Sequence, residues 1–381
     1  MTRFFLSLIL LFGLIACSGG NTGMTASDAG LIDTYTTGTD QATTDELLNT
    51  GTSAGNPHDD TARQLQICAT RLGRKPAELD REIQTLIRKE RYIISTDAAG
   101  TDGINITWDH SSADVICTSP PAEAGGLNLV QKINTGQILY GSSGSEYISV
   151  LNGGIVFAGD GRDIVATLDK GVFYGEDGND LVASPLDHGL YNDWTFAPFD
   201  SAGLRNGLFV GGKGDDHISL MSGGEFHGSD GQDSVYQLRA GTFYGGKDQD
   251  SISDPVAGEP GTMSGGLFYG EAGNDWVDNL SGGSFKGGAD DDLVHKISSA
   301  SFEGMQGKDT VYALGTDGVF TGGSGADTVD SMSDGTYDGG EDIDRLEVYA
   351  EGSVINVESV PACLQDVTNR SKCLVLAHNP D

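Results

Sequence analysis

F-V-G-G-K-G-D-D-H-I at 209–218, F-H-G-S-D-G-Q-D-S-V at 226–235 and F-Y-G-G-K-D-Q-D-S-I at 243–252 follow one another at intervals of 17 residues. Each copy supplies an aromatic residue, a run of Gly and acidic residues, an Asp, and a β-branched residue two places later. Gly, and at times Asp or Asn, accepts the positive φ of a tight turn and lets the backbone approach closely. The Asp adds a hard anionic oxygen and the turn adds carbonyl oxygens, the kind of donors that Ca²⁺ gathers. The β-branched residue opens a strand and points the opposite way from its neighbours. Turn and strand alternate, with one candidate ligand in each acidic turn.

Carried outward, the same Asp recurs at Asp163, Asp180, Asp216, Asp233, Asp250, Asp275, Asp292, Asp309, Asp327 and Asp344, with Glu146 in that slot of a weaker first copy. Two residues after each stands Ile, Val or Leu, from Ile148 to Leu346. A second column precedes the Asp: Leu139 opens it, then Phe157, Phe173 and Phe209 lead on to Phe320 and Tyr337. A third follows five residues after the Asp, from Leu151 to Met332. Three inward side chains per coil bury little alone and form a continuous core only when coils stack. The expected fold is mainly β: a parallel β-roll or β-solenoid of about 11–12 coils over residues 139–348, built on 17-residue repeats.

Pro185 and Pro255 fall where the third column would have an apolar residue, and they begin two insertions, Ser184–Asn206 and Asp254–Gly265. Proline lacks the donor that a ladder needs. Gly171, Gly224 and Gly283, each two places ahead of a column Phe, predict a second, plainer turn in each coil.

The copies G-E-D-G-N-D-L-V-A from Gly175, G-G-K-G-D-D-H-I-S from Gly211, G-E-A-G-N-D-W-V-D from Gly270 and G-G-S-G-A-D-T-V-D from Gly322 carry a resemblance. The pattern is similar to the nonapeptide of the repeat-in-toxin, or hemolysin-type calcium-binding, family, G-G-x-G-x-D-x-U-x with U a large apolar residue. The likeness covers roughly Leu139 to Val348. It implies a parallel β-roll with Ca²⁺ between successive turns and the ten Asp residues above as ligands. Only alternate half-coils carry the motif here, so one row of several ions is expected rather than two.

The chain of 381 residues has a formal net charge of −34 and contains 57 Gly, too acidic and too Gly-rich for an ordinary globular enzyme. Such self-repulsion opposes compaction unless counter-ions are bound, and ion binding then becomes folding free energy.

Residues 1–16, with a basic start and an apolar run before Leu14-Ile15-Ala16-Cys17, read as a secretory signal peptide. Its end resembles a bacterial lipobox, which implies lipidation of Cys17 and a membrane anchor. The expected location is therefore exported, at the outer membrane or cell surface. Residues 17–58 are Ser, Thr, Gly and Asp with few apolar residues and predict a flexible tether. Residues 59–125 predict a small helical or α+β unit, with Pro76 at a first helical turn and Leu79, Ile83, Leu86 and Ile87 on one face. Residues 349–381 predict a cap over the last coil. In an exported chain Cys68 with Cys117 and Cys363 with Cys373 are the expected disulfides, although four cysteines permit three pairings.

Enzyme chemistry has no signature. The seven His form no H-E-x-x-H, and no Ser occupies a G-x-S-x-G elbow. The expected role is structural or adhesive, with calcium binding stiffening the solenoid. The rival is a polysaccharide-binding or polysaccharide-modifying protein, which would use outward Tyr174, Tyr244 and Tyr269 and the insertion residues Tyr191, Trp194 and Phe196 as a glycan surface. Nucleic acid is not an expected partner for so acidic a chain.

Overall fold

A computed structural model describes residues 63, 65–70, 73–79, 81, 114–118, 127–183, 202–254 and 259–359. The leader, Cys17, the tether, Cys363, Cys373 and the ring-bearing part of the first insertion lie outside the described residues.

The repeat folds as a parallel β-solenoid of about twelve coils. Each coil makes two walls that meet at two corners. Strand β13 (Trp276–Ala289) shows the plan, because its first half pairs with β14 (Leu293–Ile297) and its second half with β15 (Ser301–Gln306). Register carries the 17-residue step from sequence into space: Val277 lies beside Val294 and Phe285 beside Phe302. Every described pairing between named strands has Cα partners running parallel, so like residues stack on like.

The three columns meet inside. Val294, Ile297 and Phe302 of one coil are fully buried, as are their counterparts Val311 and Phe320 in the next. Phe285 and Phe302 stack with centroids 4.8 Å apart and planes 6° from parallel. That separation is close to the strand spacing itself. The pleat therefore fixes the ring contact with no side-chain adjustment, which makes one large aromatic per coil a self-consistent solution.

Register corrects two column assignments. Leu139 lies beside Val156, and Val156 beside Phe173, so Val156 and not Phe157 holds the inward place. A one-residue offset puts a strand side chain on the opposite face. Phe157 accordingly faces outward and stacks between Tyr140 (4.9 Å) and Tyr174 (5.3 Å). In the third column the chain leaves at the insertions but the apolar place is not lost to proline. Leu204 lies between Leu168 and Met221, and Met263 between Leu238 and Leu280. The last residues of each insertion return to fill the core.

Pairing also reaches ahead of the first clear repeat. Strand β2 (Leu127–Asn134) lies along β4 (Ser145–Gly161), and β1 (Asp114–Cys117) lies along β3 (Gln137–Tyr140). Helical turns at 65–70 and 76–79 cover this end of one wall. Leu65, Cys68, Ala69 and Leu79 pack on Tyr140, Ile155 and Phe157, the Tyr140 hydroxyl donates to the Leu79 carbonyl (3.3 Å), and a disulfide joins Cys68 to Cys117.

Candidate metal centre

The acidic corner places the Asp column in one line, and all ten Asp side chains named above, with Glu146, are buried. One oxygen of each is spoken for. Asp180 Oδ1 accepts from the Asp163 backbone N–H (2.7 Å), Asp216 Oδ1 from Asp180 N–H (2.7 Å), and Asp233 Oδ1 from Asp216 N–H (2.8 Å). The chain of bonds continues through Asp250, Asp275, Asp292, Asp309, Asp327 and Asp344. It starts at Glu146, whose N–H donates to Asp163 Oδ1 (2.6 Å), and it ends where Asp344 N–H donates to Glu358 Oε2 (3.0 Å). Glu358 was not legible in the sequence because it lies 14 residues after Asp344, out of phase with the repeat.

The other oxygen has no partner. Eleven buried carboxylate oxygens, Glu146 Oε2 and the Oδ2 of each of the ten Asp, make no hydrogen bond. An isolated buried carboxylate costs several kcal/mol. Eleven of them would exceed the roughly 5–15 kcal/mol that holds a domain folded. These oxygens must be met by protons or by cations.

The local backbone explains why the motif is so rich in glycine. The Gly five places before each Asp from Asp180 to Asp344 is needed for space and not for its φ. At Gly175 a β-carbon would lie 2.0 Å from Asp180 Oδ2 and 2.6 Å from the Gly211 carbonyl oxygen; at Gly228 the corresponding values are 2.1 Å from Asp233 Oδ2 and 2.5 Å from Gly245 O. The positions four and two before the Asp need positive φ, as in Gly212 (114°) and Gly214 (119°). Non-glycine residues also stand there, such as Glu271 (76°) and Asp290 (77°), at the cost of backbone strain. Each corner thus brings a free carboxylate oxygen and the next coil's carbonyl oxygen to the same small space.

That donor set fits Ca²⁺, which takes carboxylate and carbonyl oxygens together in flexible geometry. It does not suit a metal that wants nitrogen or sulfur. Among the described residues no cluster of three or more His, Cys, Asp or Glu forms a metal site. The ladder supplies one core carboxylate per coil, so turn carbonyls would complete each sphere, and outer acids such as Asp215, Asp230 and Asp248 add negative potential around it.

Burial raises the carboxyls of this corner well above the ordinary range. Asp180, Asp233, Asp275, Asp309 and Asp327 are pushed up to about 7, and Asp216, Asp250 and Asp292 to about 9; neighbouring acids add to the effect, while the backbone N–H bonds oppose it. Asp163 is raised for the same reason, with Asp180 and Glu146 as its charged neighbours. Desolvation is the largest cause, so without a cation the neutral carboxyl is favoured, and proton and cation compete for the same oxygens.

Two of the outward rings, Tyr244 and Tyr269, are covered by their neighbours. Tyr244 and Tyr269 stack at 5.2 Å, His227 stacks on Tyr244 at 4.6 Å, and Lys286 Nζ lies 6.0 Å from the Tyr269 centroid. Their faces cover one another and their edges remain.

No protein-family model matches the chain, and no curated protein matches it. Among solved structures it is similar to a hyperactive, Ca²⁺-dependent, β-helical antifreeze protein from an Antarctic bacterium, with a TM-score of 0.41 and 16% identity, over 63% of this chain and 85% of that one.

Proposed function

We propose that this chain is a calcium-binding β-solenoid whose acidic corner holds one row of Ca²⁺ between successive coils. Asp180, Asp216, Asp233, Asp250, Asp275, Asp292, Asp309, Asp327 and Asp344 form the row, with Asp163 at its head, and turn carbonyls complete the coordination. The observation that carries this reading is the line of buried carboxylate oxygens with no hydrogen-bond partner. When bound, Ca²⁺ supplies the positive charge that lets those oxygens stay ionised and buried, so its binding free energy becomes folding free energy.

The biological role follows from where such a module can work. Millimolar Ca²⁺ is met outside the cytoplasm, and the leader of residues 1–16 followed by Cys17 favours an exported, lipid-anchored protein at the outer membrane or cell surface. There the solenoid serves as a stiff structural or adhesive element on its tether, without catalysis. The mutual covering of Tyr244 and Tyr269 favours this over a glycan-stacking or polysaccharide-modifying surface.

Circular dichroism and isothermal titration calorimetry of the mature chain test the reading. Addition of Ca²⁺ to chelator-stripped protein at pH 8 should raise the strand signal and release heat with several ions taken up per chain. Full strand signal in excess chelator together with no heat of uptake would sink it.

A further inference from the structure

The acidic corner changes character along the solenoid. At the Asp163 level the register places Ala158 opposite Gly175, between the pairs Phe157–Tyr174 and Gly159–Glu176. Ala158 is fully buried. It holds the equivalent register position one coil before Gly175, where a β-carbon would stand 2.0 Å from Asp180 Oδ2. The space left open in later coils is filled here by carbon.

One coil earlier one oxygen of the carboxylate is met by several protein donors, while Glu146 Oε2 has no partner, as with the Oδ2 atoms of the later coils. Glu146 Oε1 accepts from Thr118 Oγ1 (2.7 Å), Asn128 Nδ2 (2.8 Å), Ser142 N–H (3.1 Å) and Ser142 Oγ (2.9 Å). Thr118 directly follows Cys117, which the disulfide ties to the helical segment. No later carboxylate of the corner has such a set of side-chain donors among the described residues.

The walls change over the same stretch. Outside the common core, the early coils bury Ile155, Phe157, Val172 and Leu208 beneath the helical segment, and Tyr147, Ile164 and Leu181 on the other wall. The same outward register positions continue as Glu225, Thr242 and the exposed Leu267 on the first wall, and as His217, Ser234, Ser251 and the half-buried Trp276 and Leu293 on the second. Early coils bury apolar side chains on three surfaces and later coils chiefly on one. At about 25 cal/mol per Å² of apolar surface, that difference decides which coils can stand without help from an ion.

We infer that the solenoid has two parts along its axis: coils up to the Asp163 level form a cation-independent nucleus, and coils beyond it order only as Ca²⁺ is bound. This rests on the calcium reading given above. The first cation level is that of Gly175 and Asp180. Nearest-neighbour coupling in a repeat stack lets order pass outward from a stable end, so the nucleus also fixes the register of the coils that follow.

Hydrogen–deuterium exchange of the mature chain at pH 8, read by mass spectrometry in Ca²⁺ and in excess chelator, tests the division. Peptides within 127–170 should keep their protection in chelator, whereas peptides within 225–346 should exchange at least tenfold faster. Native mass spectrometry gives a second readout, in which Ala158→Gly should take up one Ca²⁺ more than the wild type. Uniform loss of protection in chelator, with Ca²⁺ adducts still present, would overturn the two-part solenoid and leave the calcium reading standing. An unchanged ion count in a folded Ala158→Gly variant would overturn it as well. Absence of Ca²⁺ adducts from the wild type would overturn both.

Discussion

Each glycine of the acidic corner answers a different physical demand, and the Asp answers two. Oδ1 closes a backbone bond to the previous coil, while Oδ2 stays free beneath a glycine whose α-carbon lacks a substituent. Gly228→Ala should therefore destabilise the Ca²⁺-loaded protein by about 1–3 kcal/mol, the range for forcing one extra carbon into a packed site. A shift in denaturant midpoint measures it. Asp250→Asn separates the two roles of the carboxyl. The amide keeps an acceptor for Asp233 N–H and gains a donor that can face the Gly270 carbonyl, but it brings no charge. In Ca²⁺ the variant should lose one ion and stability. In chelator at pH 6 it should gain at least about 1.4 kcal/mol, the equivalent of one pKa unit, because it need not take up a proton to be buried. Unchanged stability and ion count in both conditions would show that Asp250 is only a hydrogen-bond acceptor.

Strands and corners act through their stacking, and here the solenoid's repeat logic makes damage local. Phe285 is sandwiched between Phe268 (4.7 Å) and Phe302 (4.8 Å). Phe285→Ala should cost about 3–5 kcal/mol, with exchange protection lost first in the adjoining strands 262–272 and 301–306. Removal of the Cys68–Cys117 disulfide, which closes a sequence separation of 49 residues, should cost about 2–4 kcal/mol and raise exchange in 137–174.

The same regularity explains what the sequence disclosed. Columns that recur in phase were legible because each place in the coil has a single environment, and the Asp, Val and Phe lines could be written down before any coordinates. The failures sit where the phase slips. Phe157 looks like a column residue because it is aromatic, yet one position of offset turns it to the outer wall and leaves Val156 inside. Leu204 and Met263 were hidden because an insertion separates them from their own Asp, and Glu358 because it closes the ladder from outside the repeat. The unpaired Oδ2 atoms have no counterpart in sequence at all, since a motif gives residue types and not which oxygen is already bonded.

At the scale of the whole chain the raised carboxyls make stability depend on pH and Ca²⁺ together, and the sign can be worked out. In the folded, cation-free chain the corner groups titrate near 7 to 9, against about 4 for an unfolded Asp. Between those values the folded state holds more protons than the unfolded one, so stability falls as pH rises. It is fully present below about pH 4 as far as these groups are concerned, declines through the neutral range, and is lost once the folded values are passed. The formal net charge of −34 adds repulsion in the same direction as the surface acids ionise. Chelator-treated protein should therefore show a higher thermal midpoint at pH 5 than at pH 8. Ca²⁺ should reverse that order, because the ionised carboxylate is the form that binds it and protons compete for the same oxygens. Thermal melts at the two pH values, each with chelator or with millimolar Ca²⁺, give four midpoints to compare. A chelated protein that melts higher at pH 8 than at pH 5 would mean that the corner carboxylates are stabilised as anions by the fold alone, and that neither proton nor cation is needed to bury them.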